Sequence, residues 1–435
     1  MHWLTGSSST STVHQIWQDT GAIGGDIQMF YEDPFRSVEH NGQVLRLYRD
    51  IDKTAAHLTE LAPEDGGQIA QLAKWVKKLS VMDMPITDIK GVRAENPKRM
   101  GLGDLGKLLP LVPLMGKLGK ISSMEYLSRF NNLGLRRLFG LVPDNFKASS
   151  LVFTLATLNR GDGGYPEGGS LGMTQRMADT FCAQGGELRL GVKVNKVLME
   201  NGRAAGVLVG DERLEVDAVI VTQETIGALD TLFDVPPNDG WLQQIKTATK
   251  PVACTFVGIG IAEKLPDEIP GWMLPEPITI AGKAVNELAF YTYPQFPQYA
   301  PTGGTVLTTA FLGDSYDFWA KAKEDGRYKA EKDAVADQIS RAICAKFPEA
   351  SSKIEVVDVS TPLTYQRYAG ADRGAWMTVM EVGSKMVQHP GTVADVDGLF
   401  FAGHRLTPPG GLPVAASSGR QAVQLVCRQF DVLFR

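Results

Sequence analysis

The residues of this chain best suited to chemistry lie close to its end. Leu399, Phe400, Phe401 and Ala402 read as a short buried strand that stops at Gly403. Pro408, Pro409, Gly410 and Gly411 make a rigid and then a flexible turn, and Pro413 stands where the first turn of a helix tolerates proline. Val414, Ala422, Leu425 and Val426 mark that helix. A Gly-Gly turn lets the backbone come close to a ligand. The first amides of the helix and its positive dipole end face that turn. The arrangement suits an electron-rich oxygen, such as that of a pyrophosphate or a ring carbonyl, although ordinary turn chemistry uses the same residues.

Other motifs lack the context their chemistry needs. Gly101, Gly103 and Gly106 match G-x-G-x-x-G, but the residues before them are charged and include Pro97, and Pro110 breaks the helix the motif requires after it. The same glycines with Lys107 nearly form a phosphate loop, yet Leu108 stands where the magnesium-binding hydroxyl belongs. Gly168, Ser170 and Gly172 match the G-x-S-x-G nucleophile elbow, with His389 or His404 downstream to complete a triad. A loop, not a strand, precedes that serine, so Ser170 is expected to cap a helix reaching Gln184.

Composition narrows the classes further. The 435 residues are 43% hydrophobic, enough for two or three packed domains. A net charge of −5 argues against a general nucleic-acid binder. Cys182, Cys254, Cys344 and Cys427 are far apart, which fits a reducing cytosol. The six histidines form no H-x-x-x-H pair, so no metal site is expected. Residues 97–140 stand apart. Eight basic residues face Asp104 and Glu125 there, interleaved with leucines such as Leu105, Leu111 and Leu118. Such a segment suits either an anionic membrane surface or a helical cap with a solvated basic face.

Several elements must position the site. Asn41-Gly42 signals a hairpin, and residues 50–81 have helical spacing. Gly185-Gly186 ends the helix that starts near Ser170. Strands are expected over 192–199, 204–209 and 214–222, with turns at Asn201-Gly202 and Gly210-Asp211. Residues 250–313 and 354–380 are strand-rich around a helix at 330–347.

The stretch from Gly398 to Arg420, read whole, resembles the C-terminal flavin motif of phytoene desaturase-like FAD-dependent oxidoreductases. These include carotenoid desaturases, carotenoid isomerases and retinol saturases of the flavin amine oxidase superfamily. Tyr165 to Ser170, Thr361 to Tyr368 and His2 to Gly6 are similar to further stretches of the same family. The resemblance implies FAD as cofactor. It places Gly403 and His404 along the ribityl chain and pyrophosphate, although relatives often carry an acid at the position of His404. It also places Gly411, Leu412 and Pro413 at the isoalloxazine, Gly168 and Gly169 at its face, and Val194 at the adenine. Tyr365, Arg367 and Tyr368 become candidates for a cavity holding an apolar small-molecule substrate. No catalytic residue is assigned.

The implied fold is α/β. A Rossmann-like FAD domain is expected in 1–26, 159–235 and 393–435, with a mixed-sheet substrate domain in 27–96 and 236–392 and a helical cap in 97–158. The family's opening strand, G-x-G-x-x-G and helix have no counterpart before His2. An N-terminally truncated chain is the leading expectation. A flavin-free paralogue that binds lipid or a partner, and a unit supplied by another polypeptide, stand beside it. A flavin amine oxidase is the alternative with the same cofactor. The expected location is the cytoplasm, with peripheral membrane contact through 97–140.

Overall fold

The computed structural model describes residues 3–435 except 84, 85, 99, 100, 102, 104, 105, 107, 386 and 409; the side chains of 248 and 297 are also outside the description. Much of the G-x-G-x-x-G segment at 101–106, with Leu105 and Lys107, therefore falls outside the described residues.

The largest sheet is built on one long strand, Thr249–Ile261. Thr305–Gly313 pairs antiparallel with most of it, and Tyr291–Thr292 extends that side. The other side is shared: Ile354–Ser360 pairs with its second half and Ala375–Met380 with its first. Alternation turns Val257, Ile259 and Ile261 into the core. The helix Tyr328–Lys346 covers this face with Val335, Ile339 and Ile343, spaced four apart. Trp319, from the helix Tyr316–Glu324, fills the same core, and its indole donates to Thr255 Oγ1 at 3.0 Å.

A helical unit has its own core. Ile51–Leu61 and Gly66–Leu79 pack with Ala148–Asn159, burying Leu58, Leu72, Val76, Leu151 and Leu155. Asp50 caps the first helix through the amides of Asp52 and Lys53. The expected hairpin is present as Arg36–His40 against Gln43–Leu47, with Asn41 and Gly42 both at positive φ, as its two-residue turn demands. The basic segment folds into short helices at Val112–Leu118, Ser123–Leu127 and Leu133–Leu138. Leu111, Leu114 and Leu118 join the core, while Leu109 and Val112 stay exposed. Several of its cations have internal work: Arg137 holds Glu287 at 2.9 Å, Arg136 donates to the Phe130 carbonyl, and Arg129 lies over the Tyr126 ring.

The part that carries the glycine turn is smaller. Leu399–Phe401 pairs in parallel with Val219–Val221, and all three of its residues are buried. A three-stranded meander, Val194–Glu200, Arg203–Val209 and Glu212–Glu215, packs on that pair through Val197 and Ala204. The strand expected over 214–222 is therefore two strands in two sheets, broken at Val216–Ala218 where the chain leaves the meander. The helix expected from Ser170 is Gly169–Ala183, but Gly168 occupies the cap with no side-chain bond, and Ser170 lies inside the first turn. Between that helix and the meander, Leu188, Leu190 and Val192 alternate like a strand, yet among the described residues the stretch 187–193 joins no sheet, and Leu190 is 79% exposed. No described helix is long and apolar enough to cross a membrane.

The sheet core predicts the cost of emptying it. Trp319→Ala should lower stability by about 3–5 kcal/mol, read as a shift in the urea midpoint at unchanged slope.

Candidate functional site

The strand Leu399–Phe401 ends by turning sharply at Gly403, whose φ of 140° suits glycine. Its amide donates to Ser418 Oγ at 2.8 Å, and that hydroxyl donates in turn to the Ala415 carbonyl at 2.8 Å. One serine therefore fastens the strand end to the helix Leu412–Gln429. Between them, Gly410 and Gly411 sit at φ of 94° and 101°. Gly410 is required by packing, since a Cβ there would lie 2.7 Å from His404 Nδ1. Gly403 and Gly411 differ from it. Among the described residues, a Cβ on Gly411 would meet only Pro413 Cδ at 3.8 Å, and one on Gly403 only the Thr222 carbonyl at 4.0 Å. Both backbones face open space, which is what a flat ligand lying against the main chain requires.

Behind the turn is a cavity of about 260 Å³, lined by Thr222, Glu224, Tyr365, Trp376, His404 and Arg405 among others. Its floor is charged. Arg405 is 1% exposed and pairs with Glu224 Oε1 at 2.5 Å. Nη1 donates to Thr249 Oγ1 at 3.1 Å, and Nη2, without a hydrogen-bond partner among the described residues, stands 3.8 Å from Asp372 Oδ2. Glu224 is also a helix cap: its carboxylate accepts from the Ile226, Gly227 and Asp372 amides. Burial, then the Arg405 charge, lowers the His404 pKa, so its imidazole is neutral at neutral pH and offers one donor and one acceptor.

The expected site residues fall in five places. Gly403, His404, Gly411, Leu412 and Pro413 form the turn itself. Gly168 and Gly169 start the helix whose Met173 and Met177 share a small core with Ala416, so the two helix starts are held near each other. Val194 opens the meander, its backbone in register with Val209. Tyr365 lines the cavity and hydrogen-bonds Cys254, a buried thiol pushed up to about 12 by desolvation. Arg367 and Tyr368 do not reach the cavity. They face solvent, Tyr368 being 77% exposed, with the Arg367 guanidinium 5.2 Å from its ring. His389 is buried against Trp241, the ring centroids 5.5 Å apart.

The charged floor is not legible in the sequence. Arg405 follows the strand motif directly, but nothing in its spacing marks it as buried, and Glu224, Thr249 and Asp372 reach it only through the fold. A cation, two acids and a hydroxyl drawn from separate segments leave no periodic trace.

The profile of the flavin containing amine oxidoreductases matches residues 24–427. The chain belongs to that family. Among curated relatives, it is 25% identical to the chloroplastic prolycopene isomerase of Arabidopsis thaliana over 265 residues, 59% of this chain and 44% of that one. It is 24% identical to the all-trans-retinol 13,14-reductase of Danio rerio over 245 residues, 48% of this chain and 40% of that one. The chain thus spans less than half the length of the curated relatives it matches. Among solved structures, cyclohexylamine oxidase from Brevibacterium oxydans superposes with a TM-score of 0.53 at 14% identity, covering 99% of this chain and 87% of that one. A putrescine oxidase double mutant gives 0.55 at 15% identity, covering 98% and 87%. This family member therefore has the mixed α/β fold of flavin-dependent amine oxidases.

Removing one half of the buried ion pair should be costly. Arg405→Ala leaves the Glu224 carboxylate without its counter-ion and should destabilise by about 3–5 kcal/mol. Adding Glu224→Gln, which removes the stranded charge but keeps an oxygen for the amides at the start of that helix, should recover part of that loss. Urea titration of the single and double variants reads both outcomes.

Proposed function

We propose that this chain works as an FAD-dependent oxidoreductase of the phytoene desaturase-like type, acting on an apolar polyene or isoprenoid. The observation that carries the reading is the pair of bare, positive-φ backbones at Gly403 and Gly411, open on one side beside the first turn of a long helix. Family membership supports the cofactor. The carotenoid isomerase and retinol reductase relatives support the apolar substrate. When bound, the flavin supplies hydride exchange with a substrate carbon.

The chain's own residues then have supporting roles. Gly411, Leu412 and Pro413 would hold the ring system, with Gly168 and Gly169 at its face. Gly403 would let the ribityl and pyrophosphate portion pass close to the backbone. His404, neutral and pinned under Gly410, would offer a hydrogen bond where relatives use an acid. Val194 would present backbone groups to the adenine. Tyr365 and Trp376, both half-buried, would line one flank of the site. The exposed Leu109 and Val112, beside Lys117 and Lys120, support a peripheral membrane contact from which an apolar substrate could enter.

An absorption spectrum tests the central claim. The purified chain, mixed with FAD and freed of excess, should show the two visible bands of oxidised flavin. A protein that stays colourless overturns the reading for this chain and favours a flavin-free binding role. Gly411→Val should cut flavin affinity at least about tenfold while far-UV circular dichroism stays unchanged, because its side chain would occupy the open space beside the turn.

A further inference from the structure

One edge of the large sheet is unfinished. Ile354–Ser360 pairs with Thr249–Ile261 on one side, and no described strand pairs with its other side. The helix Tyr328–Lys346 packs beside that edge. Its buried row is Val335, Ile339 and Ile343; the neighbouring row, Ala336, Ser340 and Cys344, is small and half-buried. Small side chains there leave a groove of about 410 Å³ between helix and strand edge, lined also by Asp337, Ile354, Glu355 and Val356. From Ala336 to Cys344 the helix rises about 12 Å, the span of about four extended residues.

The groove has one sign of charge. Its two charged lining residues, Asp337 and Glu355, are both acids and both exposed. Neither has an ion-pair partner among the described residues. The cations around them are committed elsewhere or turned away: Lys353 holds Glu263 at 3.6 Å, Lys346 holds Glu39, and Arg341 does not line the groove. The register with the long strand shifts between Ile354 and Val356, which sets Glu355 apart from the ladder. Val356, 59% exposed, adds an apolar side chain next to it.

We propose that this edge takes an extended, basic segment of another protein as an added strand. The amides and carbonyls on the open side of Ile354–Ser360 bond the incoming main chain. Every second side chain of that segment faces the groove, where the small helix row leaves room and Val356 offers apolar contact. Its lysines or arginines meet Asp337 and Glu355, which supply selectivity and faster encounter more than raw affinity. A second copy of this chain is a poorer occupant, because edge-to-edge pairing gathers the acids of both copies into one seam. The surface lies on the large sheet and is independent of the flavin reading.

The probe is a fluorescent peptide of alternating lysine and valine, about ten residues long, titrated into the full chain and followed by anisotropy. It should bind saturably, and amide hydrogen exchange should slow in residues 354–358 and in no other strand. The same lysines and valines arranged in two blocks should bind at least about tenfold more weakly, because that order cannot place apolar side chains and cations alternately. A peptide of alternating glutamate and valine should not bind. Asp337→Lys with Glu355→Lys should cut the affinity of the alternating peptide at least about tenfold. Cys344→Phe, which fills the groove without changing charge, should weaken it as well, while Cys344→Ser leaves it unchanged; far-UV circular dichroism checks that each variant is folded. Equal binding of the block and alternating peptides means that the acids merely attract cations, and the proposal fails. Protection outside 354–358, or affinity that survives both the charge reversal and Cys344→Phe, overturns it equally. A dimer in sedimentation that protects 354–358 without peptide assigns the edge to a second copy instead.

Discussion

The buried pairing of Arg405 with Glu224 is the constraint on which the site depends. Arg405 sits just past the parallel strand, Glu224 starts the helix Thr225–Thr231, Thr249 opens the long sheet strand, and Asp372 lies in the turn before its neighbour. A single guanidinium thus joins the strand end to three other segments. Bringing these charges out of water is expensive, and attraction repays it only when the remaining polar atoms are occupied. Here the three amides bonded to Glu224 and the Thr249 hydroxyl occupy most of them. What the pair provides is registry: it fixes the strand end, and with it the turn, relative to the large sheet.

From that fixed end the rest of the turn is built in short steps. Ser418 ties Gly403 to the helix, His404 lies under Gly410, and Gly411 is left with its backbone bare. The neutral state of His404 has the same origin, since burial next to a guanidinium disfavours a second positive charge. Burial lowers the His404 pKa first and the Arg405 charge adds to it, so the electrostatics of the turn depend on the same packing as its geometry.

Much of this is legible in the sequence where it depends on local chemistry. The Asn-Gly hairpin, the helix after Pro413, the meander turns and the apolar strand at Leu399 each arise from backbone preferences of a few adjacent residues. The misread positions are those where tertiary partners decide. The run 214–222 looks continuous because apolar residues recur along it, and only the destination sheets separate its two strands. Ser170 has a capping side chain, but Gly168 can take the left-handed conformation that the chain needs there. Tyr365 and Tyr368 are alike in type and three apart, yet only Tyr365 turns inward. The Arg405 floor is illegible for the same reason: residues from separate segments make it, and their burial has no periodic signal.

The segment Glu187–Lys193 bears on behaviour in solution. Its apolar side chains Leu188, Leu190 and Val192 are exposed around a turn at 190–191, and Leu171, 81% exposed on the preceding helix, widens that apolar area. The counterweights are Arg189 between those apolar residues and Glu187 and Lys193 on either side, with Arg189 joined to Glu187 at 2.6 Å. Such surface charges guard a segment through hydration and long-range repulsion, and at physiological salt that repulsion fades within about 8 Å. The colloidal state of this protein is thereby tied to ionic strength, independently of whatever its glycine turn binds.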